Sequence, residues 1–149
     1  MNRMPLLAAA SLLACASGRG SIESADVLSR QAVAPSAEVK HVLLGWAWLG
    51  SAYRRMGMQL DSRAESRTEQ DTEALAQELL GKLRAGAAIE PMMAEHSEDP
   101  GSAKDGRSYT VDPASRLAEP FKELSLRLLP GEAGIARSQF GLHVVKRVR

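Results

Sequence analysis

The chain has 149 residues, 44% of them hydrophobic and 25% charged, which is enough for one domain with a buried core and rules out a chain disordered throughout. A net charge of +1 excludes the strong positive excess of a dedicated nucleic-acid binder. Charge alone selects no other partner.

The first residues read as an export signal. "MNRMPLLAAASLLACASG" places one Arg ahead of an apolar run from Pro5 to Ala14, too short to span a bilayer, followed by Cys15 and small residues. The string Leu12-Leu13-Ala14-Cys15 resembles the lipobox of bacterial lipoproteins, which implies cleavage after residue 14 and a diacylglyceryl group on the Cys15 sulfur. Cys15 is the only cysteine, so no intramolecular disulfide can form, and a lipid would leave no free thiol in an exported protein. Residues 15–37 combine Gly, Ser and Pro without sustained periodicity and are expected to form the lipidated Cys and a flexible tether. The working domain is then expected at 38–149.

That domain opens with "EVKHVLLGWAW", in which Val39, His41 and Leu43 alternate against Lys40, Val42 and Leu44, a strand pattern bounded by Gly45 and Gly50. Trp46 and Trp48 are expected to pack near the strand end. Residues 51–67 are polar, carry Arg54, Arg55, Arg63 and Arg67, and read as a long loop able to act as a mobile lip. Thr68 and Asp71 form a capping-box start, Leu75, Leu79 and Leu83 recur every four residues, and Gly86 supplies the stop, so a helix is expected there. A short helix should begin near Pro91 with Met92 and Met93 in the core. "HSEDPGSAKDG", residues 96–106, follows as a loop. "RSYTVD" has strand character, and "AEPFKELSLRLLPGE" reads as a helix with Pro120 in its first turn and Phe121, Leu124 and Leu128 on one stripe. "GIARSQFGLHVVKRVR" gives two strands joined by a Ser-Gln-Phe-Gly turn. Short strands, helices and a terminal hairpin make an α+β domain.

The 96–106 loop does not fit a calcium site, because Asp99 is followed by Pro100 and Gly101 and Asp105 is the only later acid before Gly106. No metal or cofactor is expected. Instead, "VKHVLL", "HSEDPGSAKDG", "EPFKELSLRLLPGEAG" and "SQFGLHVVKRV" resemble, in order, the blocks of parvulin-type peptidyl-prolyl isomerases. The resemblance implies a four-stranded antiparallel sheet surrounded by about three helices, and cis/trans isomerisation of X-Pro bonds in exported, proline-containing polypeptides. That reaction breaks no σ bond. Resonance in the amide imposes a rotational barrier of about 18–20 kcal/mol, and the uncatalysed X-Pro step takes tens to hundreds of seconds.

Carried over by position, the resemblance makes His41 and His143 a hydrogen-bonded imidazole pair on neighbouring strands, each fixing the other's tautomer, with Asp99 facing them and setting the polarity beside the substrate carbonyl. It makes Leu117, Phe121, Tyr109 and Phe140 the wall of a proline pocket. One block departs: the family's "GGDLGWF" stands here as Gly106-Arg107-Ser108-Tyr109-Thr110-Val111-Asp112, without two of the three glycines, the acid and both aromatics. The loss removes a residue suited to positive φ, and Tyr109 stands where an aliphatic side chain is usual. Some eukaryotic relatives read phosphoserine with basic residues in the first loop, but Arg54 and Arg55 read more simply as a solvated face. Two functional classes follow: a foldase in the cell envelope, anchored to a membrane by lipid, and a chaperone or scaffold module that keeps the peptide groove without catalysis.

Overall fold

Alternation in the first strand decides what lies on each side of the sheet. The computed structural model describes residues 20–149, so the signal segment and Cys15 lie outside the described residues. Strand β1 (Ala37–Leu44) is central, and β2 (Tyr109–Val111), β3 (Ala133–Ser138) and β4 (Gly141–Arg147) complete an antiparallel sheet in the order β2-β1-β4-β3. Val42 and Leu44 of β1 join Leu142 and Val144 of β4 on one face, and Val39 and Val145 serve the other. His41 and His143 keep the parity of that second face, with His41 opposite Val145 and Leu43 opposite His143.

Two helices cover the first face. Helix α4 (Glu69–Arg84) starts with the Thr68/Asp71 capping box and buries Ala76, Leu79, Leu80 and Leu83, and α5 (Glu90–His96) adds Met92 and Met93. Helix α6 (Glu119–Arg127) lies on the second face with Phe121 and Leu124 buried. Pro120 occupies the first turn, where its missing N–H costs nothing. These are the elements that the apolar spacing predicts.

Three expectations are corrected. Residues 21–36 are not a tether. They include a single turn, α1 (Ala25–Leu28), and they wrap the outer edge of β3. The backbone N–H of Ser24 donates to the Ile135 carbonyl (2.9 Å), and the Ile135 N–H donates to Ser24 Oγ (2.9 Å). Ile22 packs on the α4 side, Val27 is buried on the α6 side, and Arg30 forks onto Glu132 at 2.6 and 2.7 Å. An edge strand presents unpaired backbone groups, and this segment satisfies them without any period a sequence could display. The packed unit therefore begins near Ser21 rather than residue 38.

Residues 51–67 are likewise not an open loop. Helices α2 (Gly50–Arg55) and α3 (Ser62–Glu65) tuck Tyr53, Leu60 and Ala64 into a small third core with Phe140. Each helix is too short for a periodic stripe. The two tryptophans also part company: Trp46 is buried beneath the Arg137 guanidinium (5.3 Å from the ring centre), whereas Trp48, in a 3₁₀ turn, is 85% exposed.

Candidate active site

β1 and β4 deliver the two histidines two residues out of register on the same face, and their rings stack at 5.3 Å with 16° between planes. Nδ1 of His41 lies 3.2 Å from Nδ1 of His143. Nε2 of His41 lies 3.1 Å from Asp99 Oδ2, and Nε2 of His143 lies 2.7 Å from Ser138 Oγ. The structure thus brings together His41, Asp99 and His143 and adds Ser138 as the end of the chain. Ser138 was legible only as a turn residue, although hairpin pairing of Ser138 with Gly141 and Ala136 with His143 places it on the histidine face.

Asp99 sets the direction of the chain, because a carboxylate only accepts. Burial pushes its pKa up, but donors from His41, Ser102 (2.7 Å), Tyr109 (2.7 Å) and the Gly101 N–H (3.1 Å) outweigh burial and hold it well below the usual carboxylate range. In the neutral pair, His41 donates from Nε2 to Asp99 and accepts at Nδ1. His143 donates from Nδ1 and accepts the Ser138 hydroxyl at Nε2. Every polar hydrogen in the relay is consumed inside it.

Burial, with His41 beside it, pushes His143 down to about 3, Asp99 opposing only in part. An unfolded imidazole titrates near 6.5. Between those values the unfolded chain binds a proton that the folded chain refuses, so this contribution to stability is complete above pH 6.5 and is lost as pH falls towards 3. His143→Gln is therefore expected to flatten the pH dependence of the urea midpoint across that window by about one proton; equal slopes in both proteins would contradict a neutral His143.

A cavity of about 230 Å³ opens above this network, lined by Phe121, Leu117, Phe140, Tyr53, Tyr109 and Met58 among others. Phe121 packs edge-on to His41 at 4.9 Å and tilted to His143 at 5.2 Å. All four residues expected as the wall are present there: Phe121 on α6, Leu117 just ahead of it, Tyr109 on β2 and Phe140 in the hairpin turn. Tyr53 was missed with the helix that carries it. Its hydroxyl donates to the Phe140 carbonyl (2.7 Å) and its ring meets Phe140 edge-on, so α2 braces that side of the cavity.

The departing block explains itself in this geometry. Gly106 keeps the left-handed turn (φ +64°), and no non-glycine residue among those described has positive φ, so Arg107 bears no strain for the lost glycine. Tyr109 turns its hydroxyl onto Asp99, and burial together with the Asp99 carboxylate pushes that phenol up to about 12. It stays a neutral donor at any physiological pH.

Residues 97–99 are held along β1 beyond the point where β2 ends. Leu43 N–H donates to Ser97 Oγ (3.1 Å), Glu98 N–H donates to the Leu43 carbonyl (2.9 Å), and Gly45 N–H donates to Glu98 Oε2 (2.7 Å). The other Glu98 oxygen pairs with Arg67, and the Glu98 side chain is only 4% exposed. Glu98→Gln keeps an acceptor for Gly45 but strips the charge from Arg67, which can still reach water. The expected loss is about 2 kcal/mol in urea unfolding, below the range for a fully enclosed pair; no change in midpoint would show the pair to be idle.

The comparisons with known proteins agree with this fold. The family model described as PPIC-type PPIASE domain matches residues 26–148. The curated chaperone SurA of Pseudomonas aeruginosa is 35% identical over 85 residues, 56% of this chain and 20% of that protein. SurA of Pseudomonas fluorescens is 33% identical over a stretch of the same length, so the chain matches only about a fifth of these relatives. Among solved structures, the peptidyl-prolyl isomerase ESS1 of Candida albicans superposes with a TM-score of 0.62 at 17% identity, covering 77% of this chain and 63% of that one. The peptidylprolyl isomerase PrsA of Bacillus cereus does so at 0.54 and 22%, covering 79% and 36%. At those identities the superpositions show a shared fold.

Proposed function

The chain belongs to the PPIC-type peptidyl-prolyl isomerase domain family, and from that premise we propose that it isomerises X-Pro bonds of exported polypeptides by non-covalent catalysis in the cavity over His41 and His143. The observation that carries the proposal is the closed relay Ser138–His143–His41–Asp99 beneath an apolar wall.

A planar amide owes its stiffness to charge separation between oxygen and nitrogen, which water stabilises through hydrogen bonds to the carbonyl. The relay's polar hydrogens are all spent internally, the Tyr109 hydroxyl on Asp99 and the Tyr53 hydroxyl on Phe140. A prolyl carbonyl entering the cavity therefore exchanges water for walls with few spare donors. The planar form loses more by this than the twisted one, and the barrier falls. In this reading Phe121, Leu117 and Phe140 grip the proline ring, His41 and His143 hold one another's tautomer, and Asp99 carries the fixed negative charge that orients both.

Residues 1–14 serve, in the same proposal, as a lipoprotein signal and Cys15 as the lipid-bearing residue, which places the domain in a bacterial cell envelope. This rests on Leu12-Leu13-Ala14-Cys15 and the single cysteine. The relatives named chaperone SurA favour one second reading, a peptide-holding module with little turnover.

The test is the isomerisation rate of short X-Pro peptides with residues 16–149. Acceleration over the uncatalysed tens to hundreds of seconds supports the enzyme. Peptide binding by a folded domain without acceleration, across several residues ahead of proline, would replace it with the chaperone module.

A further inference from the structure

We propose that the face around Trp48 rests on the bilayer surface, with the indole seated at the lipid headgroup level. The proposal rests on lipidation of Cys15 and goes beyond it.

Trp48 is 85% exposed, at the rim of a groove of about 560 Å³ that is walled by Gly20, Ser21, Ile22, Trp46 and Arg137. The first described residues of the chain therefore run beside this indole. Packing begins at once, because Ile22 sits against the α4-side core and the Ser24 N–H is bonded to Ile135. Only five residue steps separate Gly20 from Cys15. At full extension they span no more than about 17 Å. A tether reaching residue 37 would let the domain tumble freely above a membrane; a five-step link holds this one face against it.

The chemistry of the face suits an uncharged lipid interface. Arg137 is paired with both Glu69 and Glu73, and Arg67 with Glu98, so neither guanidinium of this groove is free to seek an anionic lipid. The large apolar side chain exposed at this rim is an amphipathic indole, which favours the boundary between headgroups and acyl chains. Among the described residues no helix is long and apolar enough to cross a membrane, so the contact is peripheral. The acyl chains supply the affinity, and Trp48 chooses the orientation at the high local concentration the short link imposes. The histidine cavity is built on the α6 face of the sheet, away from the α4-side core that holds Trp46. Trp48 borders the groove beside Gly20 and is not among the residues that line the histidine cavity, so seating it does not fill that cavity.

The experiment uses the full chain, matured in a bacterial host and reconstituted into phosphatidylcholine vesicles, with acylation of Cys15 read by mass spectrometry. Trp46 and Trp48 are the only tryptophans, so Trp46→Phe reports Trp48 alone and Trp48→Phe reports Trp46 alone. The expected result is emission from Trp48 that moves to shorter wavelength on reconstitution and is quenched by lipids brominated near the headgroup end, while Trp46 emission is unchanged. If Trp46→Phe fails to fold, the difference between wild type and Trp48→Phe gives the same signal. Trp48 emission that stays water-like and unquenched in acylated, vesicle-bound protein overturns the proposal and leaves the anchor intact. An unmodified Cys15 in protein that does not sediment with vesicles removes the anchor and this proposal together. A blue shift that grows with protein concentration in detergent, without vesicles, would assign the face to a second copy of the chain.

Discussion

Gly141→Ala is expected to destabilise the domain by roughly 4 kcal/mol or more, a large share of its stability. Gly141 opens β4 at φ +135°, a region L side chains rarely adopt. A Cβ there would lie 2.3 Å from the Leu44 carbonyl oxygen and 3.0 Å from its carbon. Neither can retreat, because Leu44 pairs with Leu142 and its side chain is fully buried. Strain and overlap therefore add, against a total stability of about 5–15 kcal/mol for a domain of this kind. The comparison is Gly131→Ala, where φ is +83° but open space surrounds the new methyl; strain alone should cost about 1–2 kcal/mol. Urea midpoints check both, and a Gly141→Ala protein with the wild-type midpoint would contradict this account of the turn.

Asp99→Asn is expected to keep the fold and lower prolyl isomerase activity on the order of 10²-fold, the scale for removing one preorganised electrostatic group. Both carboxylate oxygens accept hydrogen bonds: Oδ2 from His41, Ser102 and Tyr109, and Oδ1 from the Gly101 N–H. An asparagine fills the same space but must turn its NH₂ towards one set of these donors. Whichever way it turns, the fixed negative charge that held His41 as an Nε2–H donor is gone, so that tautomer is held less firmly and the relay through His143 to Ser138 loses its bias. Nitrogen chemical shifts offer a second reading independent of rate. In the wild type, His41 should carry its proton on Nε2 and His143 on Nδ1. A His143 protonated at Nε2, or an Asp99→Asn protein of full activity, would refute the assigned direction.

Much of this was open to reading along the chain because its signals are local. The capping box of α4 is four residues long, the Leu75, Leu79 and Leu83 spacing needs only a helical period, and Pro120 and Gly141 mark a helix start and a turn by their own backbone limits. The candidate site was legible through a resemblance between short blocks, and the fold brings His41, Asp99 and His143 into one hydrogen-bonded line. Helices α2 and α3 escaped because six and four residues cannot show an amphipathic stripe, and Tyr53 escaped with them.

By itself, then, the sequence determined the order of the four strands and the three longer helices, the two-sided strand β1 and most residue types of the site, all set by backbone preference and by burial within a few residues. Tertiary structure alone decided three further matters. Residues 21–36 are ordered because β3 has an open edge that Ser24 and Glu23 satisfy. Tyr109 joins Asp99 because a chain reversal of 10 residues brings a phenol back onto a carboxylate. Trp46 is covered and Trp48 is not, although two residues part them, because Arg137 of a distant strand lies over one indole and nothing in the described chain lies over the other. Each depends on which surfaces meet across the folded domain, and such meetings leave no local trace in residue order.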